Sequence, residues 1–239
     1  MPRPDSIKVP VVTVDGPSGS GKGTICLELA ARLGYRLLDS GALYRIVAWA
    51  ALESGISIAD SASLVKMLGA LEISFPLSAG DGETIRNQYK VRVDDIDPGD
   101  ALRTESVSVA SSQVAAIPEV RAALLNLQRQ MRRAPGLVAD GRDMGTVVFP
   151  DAPLKIFLTA TAEERAERRY KQLIDKGLGV NLRALLDSIR ERDERDQTRA
   201  VSPLVPATDA IIVDSTHLSI EAVVQQILEC AERCGLLAP

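Results

Sequence analysis

Gly16-Pro17-Ser18-Gly19-Ser20-Gly21-Lys22 interleaves glycines with small residues and ends on a lysine. Such a run can curl its backbone so that successive N–H groups face one anion, while the helix that follows adds a positive dipole end and Lys22 adds a full charge. The run meets the first seven positions of the phosphate-binding P-loop pattern. Gly16, Pro17, Ser18, Gly19, Ser20, Gly21, Lys22, Gly23 and Thr24 are therefore assigned to nucleotide phosphates. The pattern places a serine or threonine directly after the lysine as a magnesium ligand. Here Gly23 intervenes before Thr24, which leaves the metal-side hydroxyl open, with Thr24 and Asp140 as the candidates for support.

Three further clusters could serve a second, anionic substrate. Asp39-Ser40-Gly41-Ala42-Leu43-Tyr44-Arg45 sets a serine, a tyrosine and an arginine at a helix start; alone, it could be an ordinary cap with an exposed arginine. Asp140-Gly141-Arg142-Asp143 follows an apolar strand, and two carboxylates with an arginine exceed what an Asp-Gly turn needs. In the third, Leu182, Leu185, Leu186 and Ile189 define a helix face that continues through Asp196, with Arg192 and Arg199 along one edge. A stripe that turns from apolar to ionic should emerge at a cleft, where arginines grip phosphate bidentately. The competing reading is a solvated helix end. Arg165, Arg168 and Arg169, three or four apart, fit either a mobile lid or a solvated face.

The elements that must position these groups alternate. Val9 to Val14 is a β-branched run ending at Asp15-Gly16, suited to a strand buried on both faces; Ile25, Cys26, Leu29, Ala30 and Leu33 then recur at helical spacing up to Gly34. Strands are expected at Arg36 to Leu38, Leu137 to Ala139, Leu154 to Leu158 and Ala210 to Val213. Helices are expected over Ala42 to Glu53, Glu105 to Ala116, Pro118 to Arg133, Thr161 to about Gly177, Leu182 to Thr198 and Ile220 to Cys234, with a capping box at Thr161 to Glu164. Residues 71 to 99 alternate like exposed strands, which suggests a small antiparallel insertion. The fold class is thus α/β, with a parallel sheet covered on both faces and ligands bound beyond the strands' carboxyl ends.

Bulk composition narrows the partners. Apolar residues at 46% and charged residues at 25% describe an ordinary folded domain. A net charge of −4 supplies no field for a nucleic acid polymer. Cys26, Cys230 and Cys234 form no disulfide framework, which points to a reducing, cytoplasmic location. No apolar run suggests a membrane span or an export signal. His217 has no second imidazole to join it, so it reads as a surface residue and Cys230 and Cys234 as packing.

Along almost its whole length the sequence resembles bacterial cytidylate kinases, within the nucleoside monophosphate kinase branch of P-loop proteins. The resemblance rests on Asp15 to Thr24 with its Lys-Gly-Thr, Leu38 to Arg45, Ser112-Gln113-Val114-Ala115, Asp140 to Pro150, and Glu191 to Val201. It implies a P-loop-type α/β/α core (residues 1–43, 118–160 and 201–239), a nucleoside monophosphate-binding region (44–117, carrying the insertion at about 71–99), and a lid with flanking charged helices (161–200). It also implies ATP and CMP or dCMP as substrates, with Mg²⁺ held mostly by water and phosphates; a monomer is expected, and one histidine with no Ser-His-Asp arrangement fits direct transfer without a covalent intermediate. Ser40, Ser112, Arg121 and Asp143 would surround the cytosine. Arg45, Arg142 and Arg199 would grip phosphate, and Arg192 and Asp196 would sit at phosphate and ribose. Asp140 joins the CMP side, while Lys22, Arg142, Arg192 and Arg199 would neutralise charge in the transition state. A kinase for UMP or AMP, and a regulator that holds ATP without a second substrate, are the rival readings.

Overall fold

The structure is a computed structural model, described here for residues 9–74, 92–175 and 177–236. A parallel sheet of five strands has the order β2-β5-β1-β6-β7, with β1 Val11–Asp15, β2 Arg36–Asp39, β5 Leu137–Gly141, β6 Leu154–Thr159 and β7 Ile211–Asp214. Every residue of β1 and β5 is buried, as a central parallel strand between two helical layers requires.

The period-two alternation of β1 divides the core. Val11 joins Leu38, Leu137 and Ala139 on one face, against α2 Ser40–Glu53, α3 Ser61–Ala70, α4 Glu105–Val114 and α5 Pro118–Gln130. Val12 and Val14 join Val138, Ile156 and Leu158 on the other, against α1 Lys22–Leu33 and α8 Ile220–Arg233. Both layers are largely apolar where they meet the sheet, so the sheet is fixed from two sides and its carboxyl edge becomes a rigid platform. The remaining helices, α6 Ala162–Asp175 and α7 Leu182–Thr198, pack on each other beside that edge.

Local chemistry explains the element ends. Gly21 stands at φ 94° immediately before α1, and Gly34 closes the helix at φ 65°; both conformations favour glycine. Asp39 caps α2 by accepting from Ala42 N at 2.9 Å. At α6, Thr161 Oγ1 accepts from Glu164 N at 3.3 Å, the forward half of the expected capping box, while the Glu164 carboxylate lies 2.9 Å from Arg168 Nε.

Three elements were not anticipated, the shortest being a 3₁₀ helix at Gly99–Arg103. Helix α3 was passed over although Asp60 caps it, accepting from Ser63 N at 3.0 Å, and Leu64 and Leu68 bury one face at i, i+4 spacing. Met144–Val148 forms a π-helical turn, a rare geometry that hydrophobic periodicity cannot signal. Of the expected antiparallel insertion, β3 Ile73–Ser74 and β4 Arg92–Val93 do pair antiparallel; residues 75–91 lie outside the described residues. Among the described residues no helix is long and apolar enough to cross a membrane.

The loop after β1 is set tightly against its neighbour. A Cβ on Gly16, whose φ is +152°, would fall 2.0 Å from the carbonyl oxygen of Leu158 in β6. Gly16→Ala is therefore expected to lower stability by about 2–4 kcal/mol, read by urea denaturation. A change below about 0.5 kcal/mol, the range of an ordinary surface substitution, would show that β6 does not confine the loop.

Candidate active site

Strand register gathers three carboxylates at one sheet edge. Asp39 and Asp140 are partners across β2 and β5, and Asp15 lies beside Gly141 across β1 and β5. Facing them, Lys22 opens α1 and is itself buried. Its Nζ donates to the Pro17 carbonyl at 2.7 Å and lies 3.5 Å from Ser20 Oγ, which in turn donates to Pro17 O at 3.0 Å. Burial and the nearby Arg142 charge bring the Lys22 ammonium down to about 8, with Asp140 pulling the other way. Burial pushes the Asp140 carboxyl up to about 6, against the opposing pull of Lys22. Each charge is costly here and is kept by its neighbour.

The loop is also held from behind. Arg165 in α6 donates from Nη1 to Ser18 O at 2.9 Å, from Nε to Ala160 O at 3.0 Å, and pairs with Asp193 of α7. Buried Ser215 donates to Ser20 O at 3.2 Å, while Arg168 Nη2 donates to Ser215 O at 2.6 Å. Arg165, Arg168 and Arg169, which spacing alone left between a cleft-facing lid and a solvated face, all line the cleft, with Arg165 bonded to the phosphate loop and Arg168 to Ser215 behind it. Long-range bonds of this kind leave no periodic trace in a sequence.

Across the cleft lies a second set. Asp143 and Arg121 form a buried ion pair, and Arg121 Nη1 donates to Ala115 O at 3.0 Å while its guanidinium stands 5.6 Å from the centre of the Tyr44 ring. Arg45 pairs with Asp39 at 2.8 Å. Arg142 Nε pairs with Asp196 at 2.9 Å, and although burial works against its charge, Arg142 holds the Asp196 carboxyl below the usual range. Burial, reinforced by Arg142, brings Arg192 down to about 10, and burial likewise lowers Arg199. The Nε atoms of Arg192 and Arg199 are buried and make no hydrogen bond among the described residues. Arginines kept short of partners in this way are suited to an anion.

Most of these groups, though not Asp15, line one cleft of about 1400 Å³. Its wall includes Ser18, Gly19, Ser20, Gly21, Lys22, Gly23 and Thr24, and also Ser40, Arg45, Ser112, Arg121, Asp140, Arg142, Asp143, Arg192, Asp196 and Arg199. Gly16 and Pro17 are buried beneath the wall, where the Pro17 carbonyl receives Lys22. Sequence reasoning passed over Arg195, whose Nη1 donates to Ser112 Oγ at 2.8 Å, as Arg192 Nη1 does to Ser108 Oγ at 3.3 Å. The three-and-four spacing of Arg192, Arg195 and Arg199 was the available signal.

A metal ion would find few protein donors. Among the described residues no group of three or more His, Cys, Asp or Glu could hold one. Asp140 and Thr24 both line the cleft. Hard oxygens in that number fit an ion that brings most of its ligands as phosphate and water. His217 is exposed, Cys230 is buried and Cys234 exposed, both as free thiols.

Comparison with known proteins gives a consistent result. A family model described as cytidylate kinase matches residues 12–233. A cytidylate kinase of Pseudomonas aeruginosa (strain UCBPP-PA14) is 56% identical over 227 residues, covering 95% of this chain and 97% of that protein. A cytidylate kinase of Pseudomonas fluorescens (strain Pf0-1) is 58% identical over 219 residues, covering 92% and 93%. A crystal structure of an uncharacterised protein from Eubacterium ventriosum, 11% identical, superposes with a TM-score of 0.50 over 95% of this chain and 99% of that one, a likeness of fold alone.

The buried pair at the centre of the second set makes a direct prediction. Arg121→Met keeps much of the side-chain volume but strands the Asp143 carboxylate, and should cost about 3–5 kcal/mol in chemical denaturation. A loss under about 1 kcal/mol, as for a surface ion pair, would show that solvent reaches the pair.

Proposed function

We propose a phosphoryl transfer for this chain, which belongs to the cytidylate kinase family: the γ-phosphoryl group of ATP passes to the 5′-phosphate of CMP or dCMP. The observation that carries this reading is that Lys22 and the Asp143–Arg121 pair line the same cleft. A donor cradle and an acceptor pocket that open on a common space permit direct transfer, which a regulator holding ATP alone does not need.

Reaction of this type demands positioning and charge neutralisation rather than a nucleophilic side chain. An oxygen of the acceptor phosphate attacks the γ-phosphorus, the bond to the bridging oxygen breaks in line, and ADP leaves with that oxygen's electron pair. Residues Gly16 to Thr24 hold the ATP phosphates through backbone N–H groups. Lys22 exchanges its contact with Pro17 O for phosphate oxygens. Arg45, Arg142 and Arg199 grip the acceptor phosphate, with Arg192 and Asp196 at the phosphate and ribose. Lys22, Arg142, Arg192 and Arg199 offset the charge that builds on the transferring group. Mg²⁺ carried with ATP, supported by Thr24 and Asp140, would add a further positive charge at the phosphates. Residues 161–200 serve as the lid that excludes water, and 44–117 as the acceptor region; the bonds from Arg192 and Arg195 to Ser108 and Ser112 support this division by linking the two across the cleft.

Base choice rests on Asp143, with Ser40, Ser112 and Arg121 around the ring. Cytosine presents an N4–H₂ donor that a carboxylate can accept, whereas uracil presents a carbonyl oxygen at that place and is repelled. Arg121 Nη2 donates to Asp143 Oδ2, so the carboxylate serves as an acceptor in this pocket.

A coupled assay of ADP release against CMP, dCMP, UMP and AMP tests the reading. CMP and dCMP should turn over with the highest kcat/KM, and Asp143→Asn should narrow the preference for CMP over UMP by about 10- to 100-fold. Turnover led by UMP or AMP, or an unchanged ratio in the variant, would remove the carboxylate from base recognition.

A further inference from the structure

Asp15 is the last residue of β1 and immediately precedes the phosphate cradle, yet its carboxylate points to the acceptor side. Oδ1 accepts from Met144 N and Oδ2 from Gly145 N, each at 2.8 Å, and all three groups are buried. These two N–H groups open the π-helical turn Met144–Val148. The turn's own bonds run from Val147 N and Val148 N to Asp143 O and from Phe149 N to Met144 O, so its leading amides need a partner from elsewhere.

The residue in the N-cap position of that turn is Asp143. An aspartate there ordinarily folds back to accept the free N–H groups of its own turn. Asp143 makes no such bond, and its carboxylate lies on Arg121 in the pocket. Asp15 fills the capping role in trans from a neighbouring strand, and the Asp143 side chain is thereby left for the cleft. Gly145 permits this approach, since a Cβ there would meet Thr13 Oγ1 at 3.0 Å and Asp15 Oδ2 at 3.4 Å. Burial pushes the Asp15 carboxyl up to about 7 while the Gly145 and Met144 amides draw it down, so its charge in this place depends on the two N–H groups it clamps.

We infer that Asp15 is a positioning residue for base selection: by capping the Met144–Val148 turn it withholds that turn from Asp143 and keeps the Asp143 carboxylate on Arg121, facing the acceptor base. This rests on the reading of Asp143 under the proposed function. It assigns to a residue adjoining the ATP cradle an effect on the other substrate.

Asp15→Asn retains one acceptor but sets an NH₂ against the second amide, so that Asp143 becomes the better cap for its own turn. The assay is kcat/KM for CMP and for UMP, with KM for ATP, in wild type, Asp15→Asn, Asp143→Asn and the double variant. The CMP-over-UMP ratio of Asp15→Asn should fall by about 10-fold or more, with KM for ATP within about twofold of wild type. Adding Asp15→Asn to Asp143→Asn should lower the ratio no further, as expected of residues acting through one group. An unchanged ratio in Asp15→Asn, a rise in KM for ATP as the main effect, or full additivity would overturn the inference. If Asp15→Asn does not fold, Gly145→Ala disturbs the same clamp and carries the same expectation. A wild-type protein that does not favour CMP over UMP would instead sink the underlying reading of Asp143.

Discussion

Burial of charge at the carboxyl edge of the sheet is the constraint on which the rest depends. Asp15, Asp39 and Asp140 are fixed there by strand register; Lys22 and Arg142 are brought near them by α1 and the loop after β5, and Arg192 and Arg199 line the same cleft from α7 and the residue that follows it. Ionised groups in such a place are expensive unless paired. The molecule meets the cost with paired charges: Arg142 with Asp196, Arg45 with Asp39 and Arg121 with Asp143 in direct contact, and Asp140 near enough to Lys22 to favour its charge. Because the two apolar layers hold the strands from both sides, the charges cannot relax apart.

That arrangement explains why cradle and pocket form one site rather than two. The phosphate loop is braced by Arg165 and Ser215 from the side of α6 and β7. The pocket is braced by Arg121 from α5 and Arg195 from α7. Helix α7 contributes to both, through Asp193 to Arg165 and through Arg195 to Ser112. A displacement of this helix would therefore be felt on both sides of the cleft.

Much of this was legible in the sequence because the signals are contiguous. The glycine-lysine run, the apolar strands and the Asp140-Gly141-Arg142-Asp143 cluster each declare themselves within a few residues. The stripe from Leu182 to Arg199 is legible for the same reason, since helical spacing turns a linear pattern into a face. What escaped was non-local or geometrically unusual. The partners Asp143 and Arg121 were each assigned to the base, but nothing in the sequence pairs them. Asp15 read as the strand end that opens the glycine-lysine stretch, with no role of its own, because its partners are backbone amides, which any residue type could supply. The π-helical turn has no periodicity of its own, and Arg195 stood inside a charged run where its neighbours drew the attention. Helix α3 differs, since its Asp60 cap and its Leu64 and Leu68 face are local signals present in the sequence.

The claim that a donor cradle and an acceptor pocket share one cleft is tested most directly by a ligand that must occupy both. Adenosine and cytidine joined 5′ to 5′ through a five-phosphate bridge should bind in calorimetry with a Kd at least about 100-fold below that of ATP or CMP alone, since the second contact becomes intramolecular. A Kd no lower than that of the tighter single nucleotide would show that the two sites cannot be filled together, and direct transfer between them would be contradicted.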